Sequence, residues 1–329
     1  EFWMIEPEVA FIDLDDLTAR KEEENTTASL LRGECEAFRQ RGAKLSGLDV
    51  YISSNVPKGS GVSSSAAFEV LVGVILNDCF MAEKVSPIAI AQIGQWAENV
   101  YFGKPCGLMD QMACSVGNLV HIDFADKKDP VIESVSCDLA EYGYSLCITD
   151  TKGSHADLTA DYAAVPTEMR AAAAVFGKEV LHGVTLPELL ERSAEVREKA
   201  GDRALLRAIH FVTENVRVQE EVAALRAGDF DAFLRTVKAS GDSSFKYLQN
   251  VYTNHDVEHQ NVSIALAVSD AILGGNGVSR VHGGGFAGTI QAFVKNEAVQ
   301  EYKNTLDSVF GKDACNVLKI RKYGGMKVL

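Results

Sequence analysis

Apolar and polar residues alternate with period two at residues 48–53, 119–124 and 144–149, and residues 9–14 also read as a short strand, so four short β-strands are predicted. Residues 22–41 follow the helical period instead, polar on one face and carrying Leu30, Leu31 and Phe38 on the other. Residues 68–76 are almost wholly apolar, the pattern of a buried core helix. Ser86-Pro87 is a capping residue followed by proline at the first helical position, and the helix it opens is expected to run to about residue 99. Beyond residue 150 helical spacing dominates, at 159–176, 187–200, 203–226, 230–240 and 257–272. Residues 278–294 return to strand composition around a glycine cluster. The pattern predicts an α+β chain of two lobes, residues 1–150 and 151–329, without internal repeats.

Composition narrows the function classes. A chain of 329 residues, 47% of them hydrophobic, can bury a large core and suits two domains. The formal net charge of −14 argues against a nucleic-acid or anionic-membrane surface. No apolar run approaches the ~20 residues that span a bilayer, and residues 68–76 have the length of a core helix. Seven cysteines, an odd count with no CxxC pair, predict reduced thiols in a cytoplasmic protein and give zinc little support. The first residues lack the basic segment and apolar core of a secretory signal, and the chain does not open with methionine.

Three segments carry candidate chemistry. The first is Pro57-Lys58-Gly59-Ser60-Gly61-Val62-Ser63-Ser64-Ser65-Ala66-Ala67, between a predicted strand and the apolar helix. A glycine turn feeding a helix rich in small hydroxyls aims free N–H groups and the positive end of the helix dipole at one spot, which suits a phosphate. It is not a GxxxxGK[ST] loop, so phosphate binding rests on the helix N-terminus and the serines, and a tight turn capped by serines is the alternative. The second segment runs from Glu98 to Gln111. A glutamate ends one helix, a Gly/Pro/Gly turn follows, and Asp110 appears just after it. One carboxylate there can act as a base toward a hydroxyl and another can hold Mg²⁺, whereas a lone carboxylate is more often a solvated or helix-start charge. The third segment, His282-Gly283-Gly284-Gly285-Phe286-Ala287-Gly288, matches GxGxxG formally. The short β-branched run after it reads as a strand, so a glycine turn between two strands lining a pocket is expected rather than a dinucleotide site. Asp150 and His155 sit just after a predicted strand, where substrate contacts are common, although a lone histidine there is more often structural. No GxSxG elbow supports a serine hydrolase.

Taken together, in this order and spacing, the three segments resemble the GHMP kinase superfamily, and the galactokinases within it, over almost the whole chain. Residues 57–67 look like the family's PxGxGLSSSAA phosphate loop with Val62 for leucine. Pro105-Cys106-Gly107-Leu108-Met109-Asp110-Gln111 looks like the galactokinase sugar-site segment. Residues 283–288 look like GGGFGG with Ala287 for glycine. The resemblance implies a two-lobed α+β fold, with a mixed α/β ATP-binding lobe and a helix-rich lobe holding a small antiparallel sheet. It implies transfer of a phosphoryl group from Mg·ATP to the anomeric hydroxyl of galactose, with Asp110 as the catalytic residue. ATP would be held by Pro57, Gly59, Ser60, Gly61, Ser63, Ser64, Ser65 and Ala66, and Mg²⁺ by Ser65 and Glu98. The sugar would meet Gly107, Asp110, Tyr162, Gly284 and Gly285. The expected assembly is a monomer or weak homodimer. The N-terminal signature of galactokinases, resembling GRVNLIGEHTDY and supplying an arginine beside the catalytic aspartate, does not occur in this sequence. The first lobe is therefore expected to be incomplete at its N-terminus. Two other readings stay open: a non-catalytic sensor of sugar and ATP, and a kinase for a related substrate such as N-acetylgalactosamine or mevalonate.

Overall fold

A computed structural model describes residues 9–54, 56, 63–126, 130–153 and 158–328. The chain divides into two compact units, one of residues 1–122, 132–134 and 321–329, the other of residues 123–131 and 135–320. The boundary expected near residue 150 falls inside the second unit, because the strand ending there pairs with strands from the far end of the chain.

The first unit is built on helices α1 (Thr27–Gln40), α2 (Ser64–Met81), α3 (Pro87–Ala97) and α4 (Met109–Val116). Side chains cap two of them: Ser86 Oγ accepts from the Ala89 N–H as the sequence predicts, and Thr26 Oγ1 accepts from the Ser29 N–H. A wide π-type turn, Glu98–Phe102, follows α3. Strands β1 (Leu119–Asp123) and β2 (Val131–Val135) form a two-stranded sheet. The core gathers Phe38 and Ala37 from α1, Val70, Val72 and Leu76 from α2, and Ile90 and Ile93 from α3. A smaller cluster joins Ala91, Leu108 and Met112 to Val120 and Ile132. Buried Arg32 pins the preceding chain to α1 by pairing both its Nε and Nη2 with Glu23, while Nη1 donates to the Asp16 carbonyl.

Three expectations change here. The apolar helix spans 18 residues, well beyond 68–76, and by length and composition alone it could cross a bilayer. Its buried positions include Glu69 and Asn77, and it packs against α1, α3 and α4. Residues 9–14 and 48–53 join no strand ladder among the described residues; Val9, Phe11 and Tyr51 lie exposed, since alternation makes a strand only when a neighbour supplies the hydrogen bonds. The helix predicted from residue 22 begins at Thr27, after a short 3₁₀ turn.

The second unit holds β3 (Tyr144–Asp150), helices α5 (Thr159–Val175), α6 (Leu186–Glu191), α7 (Ser193–Ala200), α8 (Asp202–Ala227), α9 (Phe230–Ser243) and α10 (Asn261–Leu273), strands β4 (Gly277–Val281) and β5 (Thr289–Lys295), α11 (Val299–Phe310) and β6 (Cys315–Leu318). The four strands form an antiparallel sheet in the order β4-β5-β3-β6. Period-two alternation sends Ile290, Ala292 and Val294 to the face covered by α10 and α11, and Phe293 to the α9 face with Phe230 and Phe233. Helices α5 to α8 form a separate cluster around Leu189, Ala204 and Ala208.

Glu34, on α1, is fully buried, and neither carboxylate oxygen has a hydrogen-bond partner. Burial raises its pKa well above the ordinary 4.5, and the nearby Glu69 adds to the shift. The folded chain therefore holds this proton more tightly than the unfolded chain. Stability is full below 4.5 and falls as pH rises toward the folded value. Glu34→Met should raise stability at pH 8 by about 1–3 kcal/mol, with a smaller gain at pH 4.5. Urea unfolding at the two pH values checks this; a loss at pH 8, or a gain independent of pH, would contradict it.

Candidate active site

Helix α2 begins at a strained residue. Ser63, its N-cap, has φ +53°, and its Oγ donates to Asp110 Oδ2 at 2.5 Å. Since the Ala67 N–H is bonded to the Ser63 carbonyl, the N–H groups of Ser64, Ser65 and Ala66 precede the first intrahelical bond. Such groups, with the helix dipole behind them, form an anion site. Asp110 is exposed, in the first turn of α4. The structure thus brings a carboxylate against a helix N-terminus. Pro57, Gly59, Ser60 and Gly61 lie outside the described residues, as does His155.

Behind Asp110 the site turns inward. Gln111, the next residue in the same turn, is buried, and its Nε2 donates to Glu69 Oε2 and to Glu98 Oε2, both at 2.9 Å. Burial pushes the Glu69 pKa up to about 7; the Gln111 bond opposes that shift and the Glu98 charge adds to it. The loop holding Gly107 is tied to α3 and the turn after it: the Cys106 N–H donates to Asn99 Oδ1, and the Cys106 carbonyl accepts from Gln95 Nε2. An added Cβ at Gly107 would meet open space. Burial and the adjacent Glu98 push the Cys106 thiol up to about 12, so it is a poor nucleophile.

Among the described residues no group of three or more His, Cys, Asp and Glu side chains is arranged to hold a metal ion. Mg²⁺ in phosphoryl-transfer sites takes only one or two protein oxygens and fills its other positions with water and phosphate. Glu98 fits that mode: a hard oxygen ligand whose Oε1 makes a long 3.4 Å contact with the exposed Lys104 ammonium.

On the second unit, β4 and β5 are joined by residues 282–288, so the glycine cluster is a strand-to-strand turn as the sequence predicts. Tyr162, on α5, donates its hydroxyl hydrogen to the Gly285 carbonyl at 2.7 Å and packs edge-on against Phe286. The sequence reading missed Asn250, which grips the same turn. Its Nδ2 donates to the Gly284 carbonyl and its backbone carbonyl accepts from the Phe286 N–H at 2.5 Å. Positive φ in this turn falls on Gly283, Gly285, Phe286 and Gly288 but not on Ala287, so the alanine brings no backbone strain.

Residues 29–118 match the GHMP kinases N terminal domain family. The galactokinase of Streptomyces coelicolor is 33% identical over 277 residues, covering 83% of this chain and 68% of that protein. The chain belongs to the galactokinase family. The galactokinase of Actinobacillus pleuropneumoniae is 31% identical over 285 residues, covering 86% of this chain and 69% of its own length. The fold is that of Lactococcus lactis galactokinase, solved in complex with galactose, with a TM-score of 0.72 at 22% identity over 95% of this chain and 79% of that one. Neither Gln111–Glu69 nor Asn250 stands out from spacing alone, since each becomes legible only when distant segments meet.

The turn on the second unit supplies a test. A Cβ on Gly285 would lie 1.8 Å from the Asn250 carbonyl oxygen at φ +80°, whereas one on Gly283 meets nothing within 4 Å at φ +66°. Gly285→Ala should cost about 3 kcal/mol or more, from overlap added to backbone strain, and Gly283→Ala about 1 kcal/mol. Thermal unfolding of both variants measures the difference; equal losses would contradict the packing.

Proposed function

We propose that the chain transfers the γ-phosphoryl group of ATP to the anomeric hydroxyl of galactose. The observation that carries this reading is Asp110 held by Ser63 at the N-terminus of α2. A carboxylate beside a phosphate-binding helix start can orient a hydroxyl and take its proton while the helix N–H groups hold the phosphates. In this reading Asp110 receives the proton of the attacking hydroxyl at Oδ1 or Oδ2, and Ser63 Oγ holds the carboxylate for that role. The N–H groups of Ser64, Ser65 and Ala66 bind phosphate oxygens. Glu98 and Ser65 would hold Mg²⁺, which supplies charge neutralisation on the phosphates. Gly107 is read as a sugar contact on the first unit, and Tyr162, Gly284 and Gly285 as sugar contacts on the second. Membership of a family of galactokinases and the Cys106 to Gln111 segment favour galactose over amino sugars and mevalonate.

An ADP-release assay with Mg·ATP across galactose, N-acetylgalactosamine, glucose and mevalonate tests the substrate. Turnover with galactose is the expected result, and turnover with another of the four alone would overturn the assignment. Asp110→Asn should lower kcat at least ~100-fold, within the usual contribution of a positioned base, and leave the affinity for ADP within about twofold. Unchanged turnover in that variant would remove Asp110 from the reaction.

A further inference from the structure

Helix α4 is short, and Leu108 at its start offers no side-chain cap, so another interaction must fix the turn that carries Asp110. That interaction is the Gln111 side-chain amide. Its single nitrogen donates to Glu69 on α2 and to Glu98 after α3, and so ties three segments of the first unit at one atom. Asp110 and Gln111 are consecutive, about 100° apart around the helix, so one faces Ser63 while the other is locked inside. Glu69 itself is held in place. An added Cβ at Gly94 would lie 3.0 Å from both Cβ and Oε2 of Glu69, so α2 and α3 are closed against its carboxylate. Among the described residues, Glu69 Oε1 and Gln111 Oε1 are buried without hydrogen-bond partners, an arrangement that costs stability compared with an apolar pair. Glu69 is fully buried, so it touches no substrate.

We propose that Glu69 is a positioning residue for phosphoryl transfer, acting through the Gln111 side-chain amide to hold both the turn that presents Asp110 and the Glu98 carboxylate. The proposal rests on the kinase reading above for its consequence, though not for its geometry. Losing the Glu69 acceptor leaves Gln111 tethered to Glu98 alone, and the first turn of α4 is free to shift relative to Ser63. Small misplacements of a reacting group cost large factors in rate.

The test compares Glu69→Leu, Glu69→Gln, Gln111→Leu and the double variant Glu69→Leu/Gln111→Leu in the full chain, by steady-state kinetics with ATP and galactose. Glu69→Leu should lower kcat roughly 30-fold with the KM for ATP within about twofold. Glu69→Gln keeps an acceptor for Gln111 and should retain kcat within about threefold. The double variant should lose no more than Gln111→Leu alone, because Glu69 acts only through the Gln111 amide. An unchanged kcat in Glu69→Leu, an equal loss in Glu69→Gln, or losses that multiply would overturn the proposal. If Glu69→Leu does not fold, Gln111→Leu alone carries the same kinetic expectation and the same refutation. Backbone hydrogen exchange over residues 109–116 separates this proposal from the kinase reading. If the parent does not phosphorylate galactose, the kinase reading falls. Faster exchange confined to that helix in Glu69→Leu still supports the positioning, and unchanged exchange overturns it.

Discussion

A single buried amide nitrogen organises the first unit. Gln111 Nε2 lies between two carboxylates that burial would otherwise drive apart, and it satisfies an oxygen of each. Remove that nitrogen and the Glu69 carboxyl, which burial and the Glu98 charge already raise to about 7, would hold its proton more tightly still. With it in place α2, the end of α3 and α4 are joined where a long apolar helix begins, and the exposed turn above carries Asp110 against Ser63. The polar interior thus sets the geometry of the polar surface.

The second unit meets a similar demand with backbone rather than side-chain charge. The turn between β4 and β5 passes so close to Asn250 that only glycine fits at Gly285, and Tyr162 and Asn250 bind its carbonyls from two sides. The sheet beneath is buried on both faces, with α10 and α11 on one and α9 on the other, which keeps the strand ends that define the turn in register. A mobile tip is thereby exchanged for a fixed one.

Much of this was legible in the sequence because its causes are local. The cap at Ser86, the strand character of residues 144–149 and 289–294, and the long helix predicted over residues 203–226 follow from short-range periodicity and hydrogen-bonding chemistry. The phosphate-loop pattern pointed to Ser63 and the Glu98–Gln111 segment to Asp110, and those two side chains meet. What was illegible depends on distant partners. Residues 9–14 and 48–53 read as strands, yet pairing is a property of two segments and their pattern describes one. Glu69 reads as a charged flaw in an apolar helix until Gln111, far along the chain, supplies its partner. Asn250 looks like one of many loop amides until the turn it grips folds onto it. The two compact units divide elsewhere than near residue 150, since β3 pairs with strands that come well over a hundred residues later.

The central claim is that the phosphoryl group goes to the anomeric oxygen of galactose. The most direct measurement is phosphorus NMR of the product formed from galactose and Mg·ATP, read through the coupling of its phosphorus to the sugar protons. The account predicts one monoester whose phosphorus couples to the anomeric proton. A phosphorus coupled to the C6 protons, or new signals from ADP and inorganic phosphate alone, would contradict it.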